Sequence, residues 1–365
     1  MKIDGVAYRS VWVDRDDGWS VHIIDQTKLP WALEVLRLTE VVDAVHAIRA
    51  MQARGAPLIG ALAAYGLCLA LRATASTDAM ERDAAMLAGT RPTAVNLRWA
   101  LDRMLTRLRN TLPADRVAVA YAEAAAIADE DVAQNEAIGR HGLPLLREAA
   151  ARKGGGRVNV LTHCNAGWLA TVDWGTALAP IYTAHNAGVD VHVWVDETRP
   201  RNQGAALTAW ELGKHGVPHT VVADNAGGHL MQHGAVDLAI VGADRVTRAG
   251  DVANKIGTYL KALAARDNAV PFWAAMPSST IDWTLSDGVA EIPIEERAGA
   301  EVTDVTGRMA DGRVATVRVT PLESAAANPA FDVTPARLLA GLITERGRCE
   351  ASVAGLTGLF PEFAA

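Results

Sequence analysis

Cysteine is scarce here. Cys68, Cys164 and Cys349 are scattered through 365 positions, an odd count with wide spacing that argues against a disulfide framework and suits a reducing cytosol. The three have no metal-ligand spacing, and no cluster of His and carboxylates with such spacing is present elsewhere. Long hydrophobic runs are missing as well. The most apolar stretch, Pro57 to Leu71, falls short of the roughly 20 residues that a membrane span needs and reads as a buried helix. Met1 to Ser10 lacks an apolar core flanked by basic residues and a cleavage site, so nothing marks a secretion signal and cytoplasmic residence is expected. Clusters of Lys and Arg are absent: a net charge of -7 and a pI near 5.8 argue against a nucleic-acid surface and leave small polar ligands as the expected partners. No G-x-G-x-x-G follows any strand-like run, which removes the main support for a nicotinamide dehydrogenase. The triplet Gly154-Gly155-Gly156 lacks the Lys and Ser or Thr of a Walker loop. No metal or cofactor is therefore expected.

What is present is organised. The length exceeds one ordinary core, and half of the residues are hydrophobic, so two domains are expected. Val21 to Ile24 reads as a strand of a small N-terminal sheet. From Thr39 the pattern turns helical, with Val41, Val45 and Ile48 on one face and an end at Arg54-Gly55. Ala56-Pro57 restarts it, carrying Leu58, Leu62, Tyr65 and Leu69. Arg91-Pro92 repeats the arrangement ahead of Leu97, Leu101, Met104 and Leu108. Asp115 to Ile138 reads as a long alanine-rich helix broken by Gly139, Gly142 and Pro144. Arg152 to Arg157 is the strongest linker signal, giving a mainly helical domain over 1–152 and a second domain over 153–365.

After the linker, strand-length apolar runs alternate with helical ones. The strands are Val158 to Thr162, Val189 to Val195, His219 to Ala223, Leu238 to Val241 and Val270 to Ala275. The helices are Thr176 to Asn186, Gln203 to His215, Ala226 to Gln232 and Asp251 to Arg266. This is the signature of an α/β fold with a parallel sheet and helices on both faces, with ligands beyond the strand C-terminal ends. Cys164, Asp196 to Arg201, Asp224 with Asn225, and Asp244 with Arg245 follow four of those strands and share that edge.

Leu161-Thr-His-Cys-Asn-Ala-Gly167 is the stretch on which function turns. If a helix opens after it, the helix's positive end lowers the pKa of Cys164 toward a reactive thiolate; the other reading is a small buried cysteine packing a sheet edge. Asp244 follows an apolar lead-in that raises a carboxyl pKa by desolvation, unless Arg245 points at it. Arg54 and Arg91 each precede a helix start, a ready anion site. Asn254 and Lys255 fall in the first turns of the expected Asp251 to Arg266 helix, and Gln203 adds a neutral hydrogen-bonding group.

These residues carry a family resemblance. Arg54-Gly55-Ala56-Pro57, Arg91-Pro92-Thr93, Thr162-His163-Cys164-Asn165-Ala166-Gly167, Asp196-Glu197-Thr198-Arg199-Pro200, Gly242-Ala243-Asp244-Arg245 and Asn254-Lys255-Ile256-Gly257-Thr258 resemble the methylthioribose-1-phosphate isomerases. Pro293 to Arg297 and Asn328 to Pro335 extend the match. The resemblance implies a helical N-terminal domain, a Rossmann-like C-terminal domain, a homodimer, and conversion of 5-methylthioribose 1-phosphate to its ketose in methionine salvage. It also implies Cys164 and Asp244 as the catalytic pair, and Arg54, Gly55, Ala56, Arg91, Gln203, Asn254 and Lys255 as substrate-binding residues. Asn202, Ala206 and Trp168 depart from the expected pattern, Trp168 at the pocket end that would receive the methylthio group. The resemblance implies a superfold shared with ribose-1,5-bisphosphate isomerases and exchange-factor regulatory subunits, so the alternatives are an isomerase of 5-deoxyribose 1-phosphate or ribose 1,5-bisphosphate, or a non-catalytic assembly subunit.

Overall fold

The computed structural model describes residues 1–91 and 94–364. Pro92, expected to open a helix, and Thr93 lie outside the described residues; the helix that follows is Val95–Arg109. The chain starts with a hairpin and a three-stranded antiparallel sheet, Val11–Val13, Val21–Ile24 and Val35–Leu38. Helices Val41–Arg49, Ala56–Ala73, Thr77–Ala88 and Val95–Arg109 follow. They pack round Ala56–Ala73, which is long and apolar enough to cross a membrane but is almost wholly buried among its neighbours. Its role is to fill the first core.

Two expectations about this half need correction. The first helix stops at Arg49, not at Arg54: Met51 turns to φ 61, and the Gln52 carbonyl accepts from the Gln26 N–H at 2.9 Å. That contact ties the loop before Arg54 to the small sheet. The break expected at Gly139, Gly142 and Pro144 is also not there, because one 37-residue helix runs from Arg116 to Arg152. A Cβ on Gly142 would lie 2.4 Å from the ring of Pro180, and one on Gly139 would lie 2.5 Å from Thr183 Oγ1. The glycines admit the helix Leu178–Asn186 at close range. The packing gained outweighs the roughly 1 kcal/mol that each glycine costs and the roughly 3 kcal/mol of an interior proline.

The second half is built on a seven-stranded sheet. Its order is Gly347–Cys349, Gly341–Thr344, Phe272–Ala275, Leu238–Val241, Val158–Thr162, Val191–Asp196 and His219–Val222, all parallel except the first. Val158, Val160 and Val193 face a core shared with the C-terminal part of the long helix and with Leu178–Asn186 and Ala209–His215; Leu161 and Trp194 face one shared with Ala226–Gln232 and Thr258–Asp267. Both faces are covered, as parallel sheets require. Strand order reverses between Val158–Thr162 and Leu238–Val241, which opens a crevice at their C-terminal ends. A four-stranded sheet stands beyond that crevice: Ile281–Asp282, Arg245–Thr247, Val252–Lys255 and Phe331–Thr334. Val252–Lys255 therefore replaces the start of the expected Asp251 to Arg266 helix, which begins only at Thr258. We propose the domain boundary at Lys153–Arg157, where helix gives way to sheet, although Ile3, Ile24 and Leu29 pack into the second half's core.

The close approach of the two helices predicts the outcome of a one-atom change. Gly142→Ala should destabilise the protein by about 1–3 kcal/mol in urea unfolding despite the better helix propensity of alanine. A stabilised variant would show that the glycine is there for another reason.

Candidate active site

Cys164 sits on the first loop of the crevice. Its backbone is left-handed at φ 67, as is that of Thr198 at φ 66, and Thr198 is β-branched, a rare residue in that region. The two lock together: the Cys164 N–H donates to Thr198 Oγ1 at 2.8 Å, and Thr208 Oγ1 donates to the Cys164 carbonyl at 2.7 Å. Sγ points toward Gln203 Oε1 at 3.5 Å. The helix start expected after Cys164 is not found. Only a single 3-10 turn, Trp168–Ala170, follows, and the next α-helix opens at Leu178. No helix dipole lowers the thiol. Burial pushes the Cys164 pKa up, and the Lys255 and Arg54 cations pull it back only in part.

Asp244 sits on the opposite lip, past Leu238–Val241, its N–H held by the Ala253 carbonyl at 2.9 Å. Arg245 turns away to Asp282 at 3.5 Å. Burial raises the Asp244 pKa, opposed by Lys255, Arg91 and Arg54. Arg54 is buried just ahead of the helix Ala56–Ala73 and donates to both the side-chain and the backbone oxygens of Asn165. Gly55, at φ 109, lets the backbone pass Ala170 so closely that a Cβ would lie 2.3 Å from its carbonyl oxygen. Lys255 is buried with Nζ 4.6 Å over the Phe331 ring, and burial depresses its pKa while Cys164 and Asp244 raise it. Arg91 reaches Glu295 at 3.0 Å. Asn254 donates to Thr258 Oγ1 at 3.0 Å. Strand geometry, rather than the expected helix, puts Asn254 and Lys255 here.

All nine residues singled out in the sequence, Arg54, Gly55, Ala56, Arg91, Cys164, Gln203, Asp244, Asn254 and Lys255, line one cavity. A larger cavity of about 580 Å³ adjoins it through Met51, Arg54 and Gln203 and is lined by Asn202, Ala206, Trp31 and by Thr306 and Thr316 of the antiparallel pair Asp304–Arg308 and Val314–Arg318. Two of the three departures thus border this outer space. Trp168 does not: it is fully buried against Trp210 in the sheet core and lines neither cavity.

Two networks behind the cavity escaped the sequence reading. His163, Asp196 and Asp224 bring ligand atoms within 4.8 Å of one another, although they leave different strand ends. Apart from Asp196 Oδ1, which is buried without a hydrogen-bond partner among the described residues, their atoms are engaged. His163 bonds Asp196 at 2.9 Å and the Ile256 carbonyl at 2.8 Å, Lys261 lies 3.3 Å from Asp196, and Asp224 accepts the N–H groups of Thr198 and Arg199. The group braces the loops around Cys164. The second network runs from Glu211 through Asn165 to Arg54.

A buried thiol whose pKa lies above the ordinary 9.0 is protonated at neutral pH. Iodoacetamide labelling of Cys164, followed by mass spectrometry, should be slower at pH 7 than for a free cysteine and should still be rising above pH 9. A rate that levels off below pH 8 would contradict this assignment.

The same pattern recurs in known proteins. The model of the Initiation factor 2 subunit family matches residues 52–351. The methylthioribose-1-phosphate isomerase of Acidiphilium cryptum is 70% identical over 362 residues, 99% of this chain and 98% of that one. The crystal structure of 5-methylthioribose 1-phosphate isomerase from Pyrococcus horikoshii OT3 is 40% identical with a TM-score of 0.83, covering 98% of this chain and 96% of that one. Translation initiation factor eIF-2B, subunit delta, from A. fulgidus is 37% identical with a TM-score of 0.79, over 97% and 100% of the two chains. The chain belongs to the methylthioribose-1-phosphate isomerases within the Initiation factor 2 subunit family, and it is an isomerase.

Proposed function

We propose that the chain converts 5-methylthioribose 1-phosphate to 5-methylthioribulose 1-phosphate in methionine salvage, with Asp244 as acid and Cys164 as base. The observation that carries the reading is the cavity itself, where an acid with a raised pKa and a thiol share one small space with Arg54, Arg91 and Lys255. Three cations suit a phosphate dianion. Protonated Asp244 gives its proton to the ring oxygen O4 as the C1–O4 bond breaks. Cys164, as thiolate, takes the proton from C2, leaving an enol phosphate. The thiol then returns that proton to C1, while the hydroxyl on C2 gives its proton to the Asp244 carboxylate and becomes the ketone. Both groups end as they began.

The reactive form holds one proton on Asp244 and none on Cys164. Because the Asp244 charge raises the Cys164 pKa, the protons belong to the pair, and the thiolate form is the minor one. Moving the proton from thiol to carboxylate costs about 1.4 kcal/mol for each unit that separates them. Lys255 and Arg54 pull both pKa values down, the thiol's and the carboxyl's.

The wide outer cavity leaves 5-deoxyribose 1-phosphate and ribose 1,5-bisphosphate as competing substrates, ranked by kcat/KM. The likeness to the eIF-2B subunit favours a second reading, a non-catalytic assembly subunit; the intact acid–thiol pair opposes it. A homodimer in the cytoplasm, with neither nucleic acid nor membrane as partner, completes the proposal, in keeping with the acidic net charge of -7.

Cys164→Ser and Asp244→Asn should each lower kcat at least about a hundredfold with an unchanged circular dichroism spectrum. Turnover in deuterated water should place solvent deuterium at C1 in proportion to the exchange of the Cys164 thiol proton with solvent before it is returned. Near-normal activity in either variant removes that residue from the mechanism, and no turnover of any of the three sugars by the unaltered chain removes the isomerisation of these sugars.

A further inference from the structure

Glu211 lines neither cavity, yet its carboxylate is fully buried immediately behind the loop that carries Cys164. Removing a carboxylate from water costs several kcal/mol unless its oxygens are well used. These are. One accepts from Asn165 Nδ2; the other accepts from the Trp168 N–H at 2.8 Å and from the Tyr182 hydroxyl at 3.0 Å. Burial, opposed by the bonds from Asn165, Tyr182 and Trp168, leaves its carboxyl raised to about 7.

The consequence lies in the asymmetry of an amide. The Asn165 NH₂ group donates to Glu211 and to Thr208 Oγ1 at 3.1 Å, which leaves Oδ1 facing the Arg54 guanidinium. A carboxylate only accepts. It forbids the flipped amide, which would press Oδ1 against it and turn two N–H donors toward the arginine. The Asn165 carbonyl accepts the other arm of Arg54 at 2.8 Å, so the whole guanidinium hangs on this one residue. Gly167 belongs to the same device, because a Cβ there would lie 2.1 Å from Glu211 Oε2. The glycine of the Thr162–Gly167 motif makes room for the carboxylate.

We propose that Glu211 is a positioning residue: by fixing which way the Asn165 amide points, it holds the Arg54 guanidinium ready for the substrate's phosphate. This rests on the reading of the cavity as a sugar-phosphate site, and the probe is chosen to separate the two. Inorganic phosphate, titrated calorimetrically into the folded protein, reports on the anion site without turnover.

Glu211→Gln permits both amide orientations and should weaken phosphate binding about tenfold, the scale of one charge-assisted hydrogen bond. KM for the sugar phosphate should rise in step while kcat stays within about threefold. Asn165→Ala should lose about as much. The double variant should lose little more than Asn165→Ala alone, because Glu211 acts through Asn165. A residue that serves only stability would leave the affinity of the folded fraction unchanged. Should Glu211→Gln not fold, Tyr182→Phe, which frees one lone pair of the carboxylate, takes its place in the cycle with a loss of about threefold. Multiplying losses, an unchanged phosphate affinity in the folded single variant, or an unaltered chain that binds no phosphate would each overturn the proposal. A cycle that behaves as described in a chain that ignores the methylthio sugar would leave Glu211 in its role and discard the substrate.

Discussion

Everything at this site follows from charge held out of water where the sheet reverses its strand order. Arg54, Lys255, Cys164 and Asp244 are crowded into one small cavity. Alone, each ionised group would carry a desolvation penalty of several kcal/mol. Together they moderate one another: the cations restrain the upward shifts of thiol and carboxyl, and the anionic forms of those two oppose the downward shift that burial imposes on Lys255. The cluster is stable only as a set. A phosphate dianion entering it would meet cations already stripped of water, where their attraction is strongest.

Both halves of the chain are needed to assemble the set. Cys164 and Asp244 come from the two strands that flank the reversal, and Lys255 from the smaller sheet beside it. Arg54 and Arg91 come from the helical half, the former carried by the loop that opens the most buried helix of the first core. An ionic chain links the two arginine sides, from Arg91 through Glu295, Arg297 and Glu301 to Arg201. The segment 295–301 thus bridges Arg91 at the site to Arg201 at the outer cavity with charges that compensate one another.

Much of this was legible in the amino-acid sequence, and the failures share a cause. Apolar runs of four or five residues between glycine stops place the strands Val158–Thr162 and Leu238–Val241 to the residue, because local pattern decides them. Local pattern misled wherever tertiary contact overrides it. Gly139, Gly142 and Pro144 read as a break, and a neighbouring helix turns two of them into a packing seat. Asn254 and Lys255 read as helix; pairing with Phe331–Thr334 makes them strand. The sequence reading assigned Cys164 a helix end for its chemistry, and the charges that tune it come instead from residues 91 and 110 positions away, Lys255 and Arg54. Glu211 carried no signal at all, since only the folded loop puts it behind Asn165.

The most direct test of the account is a crystal structure with the ketose phosphate bound. It should place the phosphate against Arg54, Arg91 and Lys255, with Cys164 Sγ about 3–4 Å from C1 and C2 and the Asp244 carboxyl against O4. A phosphate seated in the outer cavity beside Trp31 and Thr306, with Cys164 and Asp244 both out of reach of the sugar, would contradict it.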